Sequence, residues 1–209
     1  VGTALRLGQS VDTNSTWIGE QLAAAGIDSY EQRQVGDNRE RLAQALRDML
    51  GEADAVIVCG GLGPTPDDLT RDAIADVMGV SLVRDADLVE HIAVMFSSRG
   101  REMPDNNLRQ ADVPDGAGVL PNPVGTAPGL AASLGDKVVY AVPGVPYEMR
   151  AMVTDHVLPA LLERAGGRSA IVSRTLKTWG TSESGLAEMI ARRVDEQSNP
   201  TIAFLARGI

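Results

Sequence analysis

The sequence predicts an α/β fold, helices packed on a parallel sheet, with a small α+β unit after it. Three observations predict this. Val56-Ile57-Val58 is a short β-branched run that suits a strand buried on both faces, and it leads through Gly60, Gly61 and Gly63 into a helical pattern. Other segments repeat the helical spacing and stop at glycine, as Leu42, Leu46, Met49 and Leu50 do before Gly51. Gly166-Gly167 then separates a last strand–helix–strand pattern, giving expected domains of 1–165 and 168–209.

The chain of 209 residues carries a net charge of −9, which argues against duplex nucleic acid or an anionic membrane as the main partner. Aromatic residues make up only 3%, so the core is built from Ala, Val, Leu and Ile. A single cysteine excludes an intrachain disulfide and a Cys-based zinc site. No apolar run reaches the roughly 20 residues of a membrane span, and no signal peptide is visible, so the default expectation is a cytoplasmic protein.

In order, Val1-Gly2-Thr3 reads as a strand end entering a turn, so a first strand is expected before Val1. Asp12, Thr13, Asn14 and Ser15 offer caps for a helix with Trp17, Ile18, Leu22 and Ala25 on one face and Gly26 at its end. Residues 27–35 are polar and extended, an expected strand near a sheet edge. Asp37 and Asn38 open the helix of Leu42–Leu50; Asp37 is either its cap or a functional carboxylate at the sheet edge. Leu69, Ala73, Ile74, Val77 and Met78 form the next helix face, closed by Gly79. A helix with Leu88, Ile92, Met95 and Phe96 follows, then the amide-rich 103–110, either a capped short helix or a nucleotide contact. Leu120–Gly129 holds three prolines and two glycines, an ordered loop able to wall a pocket. Residues 130–134 and 138–142 read as a hairpin, and Tyr147-Glu148-Met149 starts a helix that Pro159 kinks or divides. Last come a strand over 171–178, a Ser-capped helix over 182–194 and a strand over 201–205.

The chemistry concentrates at the glycine turn. Glycines there permit positive φ and close approach of a ligand, and free amides favour an anion such as phosphate. Asp67 and Asp68 either cap the helix or hold a cation that bridges to the anion. No Lys or Arg lies in the turn itself, so a metal is expected to carry the charge compensation. Cys59 reads as a small buried residue.

Six ordered motifs resemble the CinA (competence/damage-inducible) family: Asp12-Thr13-Asn14, Gly36-Asp37-Asn38, Gly60-Gly61-Leu62-Gly63-Pro64-Thr65-Pro66-Asp67-Asp68-Leu69-Thr70-Arg71, Asn106-Asn107-Leu108-Arg109-Gln110, Asn122–Gly129 and Pro143-Gly144-Val145-Pro146-Tyr147-Glu148-Met149. The resemblance implies the three-layer, mostly parallel fold of the MoaB/MogA molybdopterin-binding type. It also implies metal-dependent hydrolysis of ADP-ribose to AMP and ribose 5-phosphate. The alternatives are a molybdopterin-binding protein of cofactor biosynthesis and a non-catalytic nucleotide-binding module. Catalytic roles fall to Asp37 and Asp68, with Mg²⁺ on Asp68 together with Asp37 or Glu148. Ligand contacts are implied for Asp12, Asn14, Asn38, Gly60, Gly61, Gly63, Pro64, Thr65, Asp67, Thr70, Asn107, Gly125, Thr126, Pro143, Gly144 and Glu148. The family's usual Glu near its start is Ala4 here, which weakens or removes activity if that Glu takes part. Many members' nicotinamide mononucleotide deamidase domain has no counterpart in these residues. The partner implied is a small nucleotide or pterin, and a homo-oligomer, a dimer first, is expected.

Overall fold

The computed structural model describes residues 1–3, 11–166, 176–198 and 200–204. The chain divides into two compact units, Val1–Val172 and Ser173–Ile209. In the first, helix α1 (Thr13–Ala24) is capped by the Asp12 carboxylate and α2 (Arg39–Glu52) by Asn38. Strand β1 (Ala55–Cys59) precedes α3 (Thr70–Met78), which Gly79 ends at φ 72°. Strand β2 (Leu82–Arg84), α4 (Ala86–Ser97), a 3₁₀ segment (Asp105–Ala111) and β3 (Asp112–Pro114) follow. Strands β4 (Gly118–Leu120), β5 (Gly129–Leu134) and β6 (Lys137–Val142) then lead into α5 (Pro146–Met152), a π-helical stretch (Val153–Val157) and α6 (Leu158–Arg164). Pro159 thus divides the expected long helix, which widens to i→i+5 spacing just before it.

The main sheet runs in the order β1-β6-β5-β4. Pairing of β1 with β6 is parallel, in register from Ala55↔Val138 to Cys59↔Val142. The β6–β5 and β5–β4 pairings are antiparallel, so the described sheet is mixed. The hairpin of β5 and β6 requires this: Gly135, at φ 66°, opens a two-residue turn of the kind that matches strand twist. Strands β2 and β3 form a separate antiparallel pair.

Both faces of the sheet are covered. Val56, Val58, Val139 and Ala141 face Leu42, Leu46 and Leu50 of α2 and Ile74 of α3. Val138, Tyr140 and Val142, offset by one residue, face Ile18 and Leu22 of α1 and Met149, Val153 and Val157. The alternation along β6 makes three layers, helix on sheet on helix.

Residues 27–35 depart from expectation: they join no ladder, and of this stretch only Val35 is tied by a backbone bond toward the sheet, its carbonyl accepting from the Gly2 amide at 3.0 Å. Between them and β1 lies a cleft of about 920 Å³, lined by Ala55–Cys59, by Ile18 and Leu22 of α1 and by Leu46 and Met49 of α2. In the second unit, α7 (Glu183–Asp195) is capped by Ser182 as expected. Of the flanking strands, 171–175 and Leu205 lie outside the described residues, and 201–204 has no regular structure. No helix of the described residues is long and apolar enough to cross a membrane.

Gly129 lies where layers meet. A Cβ there would come within 2.8 Å of the Ala141 carbonyl oxygen and closer still to Met152 Sδ. Gly129→Ala should therefore lower stability by about 1–3 kcal/mol in urea unfolding; an unchanged midpoint would contradict this packing.

Candidate functional site

The carboxyl ends of the parallel strands β1 and β6 lie on one edge of the sheet, the position where open α/β sheets bind ligands. The Gly60 amide bonds the Val142 carbonyl at 2.9 Å, and Gly144 packs on Gly60, 3.4 Å from a Cβ position to its Cα. Asn14, in the first turn of α1, joins them: its Nδ2 donates to the Gly144 carbonyl at 2.8 Å and to Cys59 Sγ at 3.3 Å. Asp37 is near the same edge, accepting the Thr3 amide at 2.9 Å while its own amide donates to Thr3 Oγ1 at 3.2 Å.

The glycine turn is held from beneath by two residues of α3. Thr70 Oγ1 donates to the Gly60 carbonyl at 2.7 Å and the Thr70 amide to the Gly61 carbonyl at 3.1 Å. The Arg71 guanidinium donates to the carbonyls of Leu62 and Gly63. Thr70 and Arg71 are 0% and 1% exposed, so four successive carbonyls point inward. A trans peptide carries its N–H opposite the preceding carbonyl. The amides of Gly61, Leu62 and Gly63 therefore point away from the core, and no acceptor among the described residues takes them. Gly60 is at φ 94° and Gly61 at φ 71°, and free amides at such a turn are the kind of donors that can receive an anion. Burial, with Arg109 nearby, pushes Arg71 down to about 10, so it stays charged at neutral pH.

Several expected site residues have other tasks. Thr70 is buried and holds the turn instead of facing a ligand. Asn107 is buried too, and its Nδ2 donates to Gln110 Oε1 at 2.8 Å; Arg109 of the same segment is the one that reaches the turn, donating to the Thr65 carbonyl at 3.2 Å and Asp72 at 2.8 Å. Asp68 does not cap α3, whose cap position is Leu69 with no side-chain bond. Its Oδ2 accepts the Thr65 amide at 2.9 Å and Thr65 Oγ1 at 2.5 Å, closing the Pro64–Asp68 loop against Gly63. Asp67 is exposed beside it. Asn38, not Asp37, caps α2. Burial pushes Asp12 up, but the bonds from Ser15 outweigh it and hold the carboxyl below its ordinary range. Ala4 lies outside the described residues.

The proline-glycine loop is also braced. Buried Asn122 accepts the Gly125 amide at 3.0 Å and donates to the Ala127 carbonyl at 2.8 Å and to Glu148 Oε2 at 2.7 Å. Glu148 lies directly over Gly125, where a Cβ would fall 2.6 Å from Oε1. Thr126 is half-buried in this loop, and Pro143 is buried at the end of β6. Exposed Val145 and Tyr147 follow Gly144.

The three carboxylates expected at a cation, Asp37, Asp68 and Glu148, belong to three different segments, and among the described residues no three acidic, His or Cys side chains gather as a metal site. The chain's own donors thus form no closed cage. A cation would fit here only as Mg²⁺ commonly binds, on one or two carboxylates with phosphate oxygens completing its shell. Arg71, Arg109 and Tyr147 were not among the expected site residues; Arg71 follows Thr70 directly in the sequence, and its place in the first turn of the helix after the glycines was the available signal.

A family described as "Probable molybdopterin binding domain" matches residues 1–163, and "Damage-inducible protein CinA KH domain" matches 173–208. A "CinA-like protein" of Frankia casuarinae is 47% identical over 100% of this chain and 50% of its own length. One from Trichormus variabilis is 43% identical over 97% of this chain and 49% of its own. The chain thus spans about half the length of these relatives. The crystal structure of the protein CinA with unknown function from Thermoplasma acidophilum superposes with a TM-score of 0.66 at 33% identity, over 78% of this chain and 92% of that one. The molybdopterin biosynthesis enzyme MoaB of Thermus thermophilus gives 0.51 at 20% identity, over 81% and 94%, and shares the fold.

Cys59 supplies a pH test of this edge. Burial raises its thiol, outweighing the Asn14 bond. The folded state keeps the proton longer, so its contribution to stability is full below the unfolded thiol's range and is lost as pH rises through that range to the folded value. Alkylation of Cys59 should be slow at pH 8 and still accelerating beyond the ordinary thiol range, and the alkaline loss of stability should shrink in Cys59→Ser. Rapid alkylation at pH 8 would contradict this burial.

Proposed function

The chain belongs to the CinA-like proteins, and we propose that its first unit binds a phosphate-bearing pterin of the molybdopterin kind at the carboxyl edge of β1. The observation that supports this most is the set of three outward amides at Gly61, Leu62 and Gly63, with the carbonyls behind them occupied by Thr70 and Arg71. Three converging donors suit a phosphate oxygen. Arg71 and Arg109 supply positive charge beneath and beside the turn. Exposed Val145, next to the Gly144 that packs on Gly60, and exposed Tyr147 in the first turn of α5 offer apolar surface to a flat ring. The Asn122–Glu148 brace fixes the proline-glycine loop, which then needs little ordering if it meets the ligand. A small-molecule partner, a homo-oligomeric state and a cytoplasmic location belong to the same proposal.

Asp68 favours a second reading, hydrolysis of ADP-ribose. Its carboxylate lies against Gly63, where it can serve as a ligand to a cation bridging to a diphosphate. A divalent cation on Asp68, with Asp37 as the expected second carboxylate, would neutralise the diphosphate and acidify a water. Asp68 itself holds the loop through Thr65, and the outward amides would receive charge shifting onto the phosphoryl oxygens.

Titration calorimetry with a phosphorylated pterin and its dephosphorylated form tests the first reading. The phosphorylated form should bind at least about tenfold more tightly; equal affinity would overturn it. AMP release from ADP-ribose in Mg²⁺, abolished by EDTA and in Asp68→Asn, would establish the second. Turnover that survives EDTA would sink the metal-dependent form.

A further inference from the structure

We infer that Arg71 is the positioning residue of the glycine turn, aiming the Gly63 amide through the Leu62 carbonyl and anchoring the Gly63 carbonyl beside it, without touching a ligand; this rests on the phosphate site proposed at that turn. A guanidinium as buried as this one is ordinarily ion-paired. Here Asp68, Asp72 and Asp112 act on Arg71 through space. Their oxygens bond elsewhere: Asp68 to Thr65, Asp72 to Arg109, Asp112 to Arg84. Every hydrogen bond of Arg71 among the described residues goes to two neighbouring carbonyls, with the Gly63 carbonyl accepting at 3.1 and 3.2 Å.

The planar fork of a guanidinium suits this task, since it holds two acceptors in fixed relative direction. Holding the Leu62 carbonyl inward fixes the Gly63 N–H outward, because the two are opposed across one trans peptide. The turn needs such a hold. Gly61 and Gly63 lack Cβ atoms and are free to rotate, and a flipped peptide would present a carbonyl oxygen where a phosphate oxygen must sit. Thr70 secures the first two carbonyls of the turn and Arg71 the last two. Binding of the anion then depends on the fraction of molecules with all donors outward. A lysine at 71 would keep the charge and lose the fork, which separates orientation from simple attraction.

The test compares wild type, Arg71→Lys and Arg71→Met by two readouts. In nitrogen-resolved NMR of the free proteins, the amides of Gly61, Leu62 and Gly63 should shift or broaden in both variants, while those of β5 and β6 stay in place. In titrations with the phosphorylated pterin, Arg71→Met should lose about tenfold or more and Arg71→Lys an intermediate factor, because a charge-assisted bond is released in each. Affinity for the dephosphorylated pterin should not change. Wild-type amide positions at 61–63 in Arg71→Lys, or phosphorylated-pterin affinity in Arg71→Met within about twofold of wild type, would overturn the inference. If Arg71→Met does not fold, Arg71→Lys carries both readouts. If wild type does not distinguish the two pterins, the phosphate reading fails, and the NMR comparison still decides the role of Arg71.

Discussion

The arrangement at the sheet edge depends on four carbonyls being occupied. Gly60, Gly61, Leu62 and Gly63 all turn their oxygens toward the start of α3, where Thr70 and Arg71 take them. Buried backbone oxygens must be satisfied, so the two residues meet a requirement of folding. In doing so they aim the opposite ends of the same peptides at solvent. Stability and the proposed ligand recognition are thus the two sides of one set of peptide planes.

Around that turn, elements distant in sequence are tied by single polar contacts. Asn14 bridges α1 to the strand ends at Cys59 and Gly144. Arg109 bridges the 3₁₀ segment to the Thr65 carbonyl and to Asp72 of α3. Asn122 and Glu148 join the proline-glycine loop to α5. Each tie uses a polar side chain with a definite partner, which fixes a loop more narrowly than apolar contact does.

Much of this was legible in the residues. Helix faces were marked by periodic apolar residues, and α3 stops at Gly79 as expected, whereas α2 runs through Gly51 to Glu52 and α7 ends at Asp195 without a glycine. The hairpin of β5 and β6 was readable too, and with it an antiparallel half of the sheet. Residues 27–35 misled because extended, polar sequence specifies conformation but not a partner across which to bond. At the site, residue types were legible and their tasks were not. Asp, Asn and Thr beside a helix start serve equally as caps, loop closers or ligand contacts, and only three-dimensional neighbours choose among these. Arg71 closes the motif without declaring a task, and only burial shows it turned back beneath the glycines.

The parallel register of β1 and β6 has a kinetic meaning. It joins residue 55 to residue 138, and the Gly60 amide is held by Val142. Contacts so distant along the chain form late, because the loop between them must lose its freedom first. During synthesis, β1 emerges long before the strand it pairs with, and its apolar run must wait in the meantime. The sheet edge that would receive a ligand is therefore completed near the end of folding, when the second half of the first unit closes on the first.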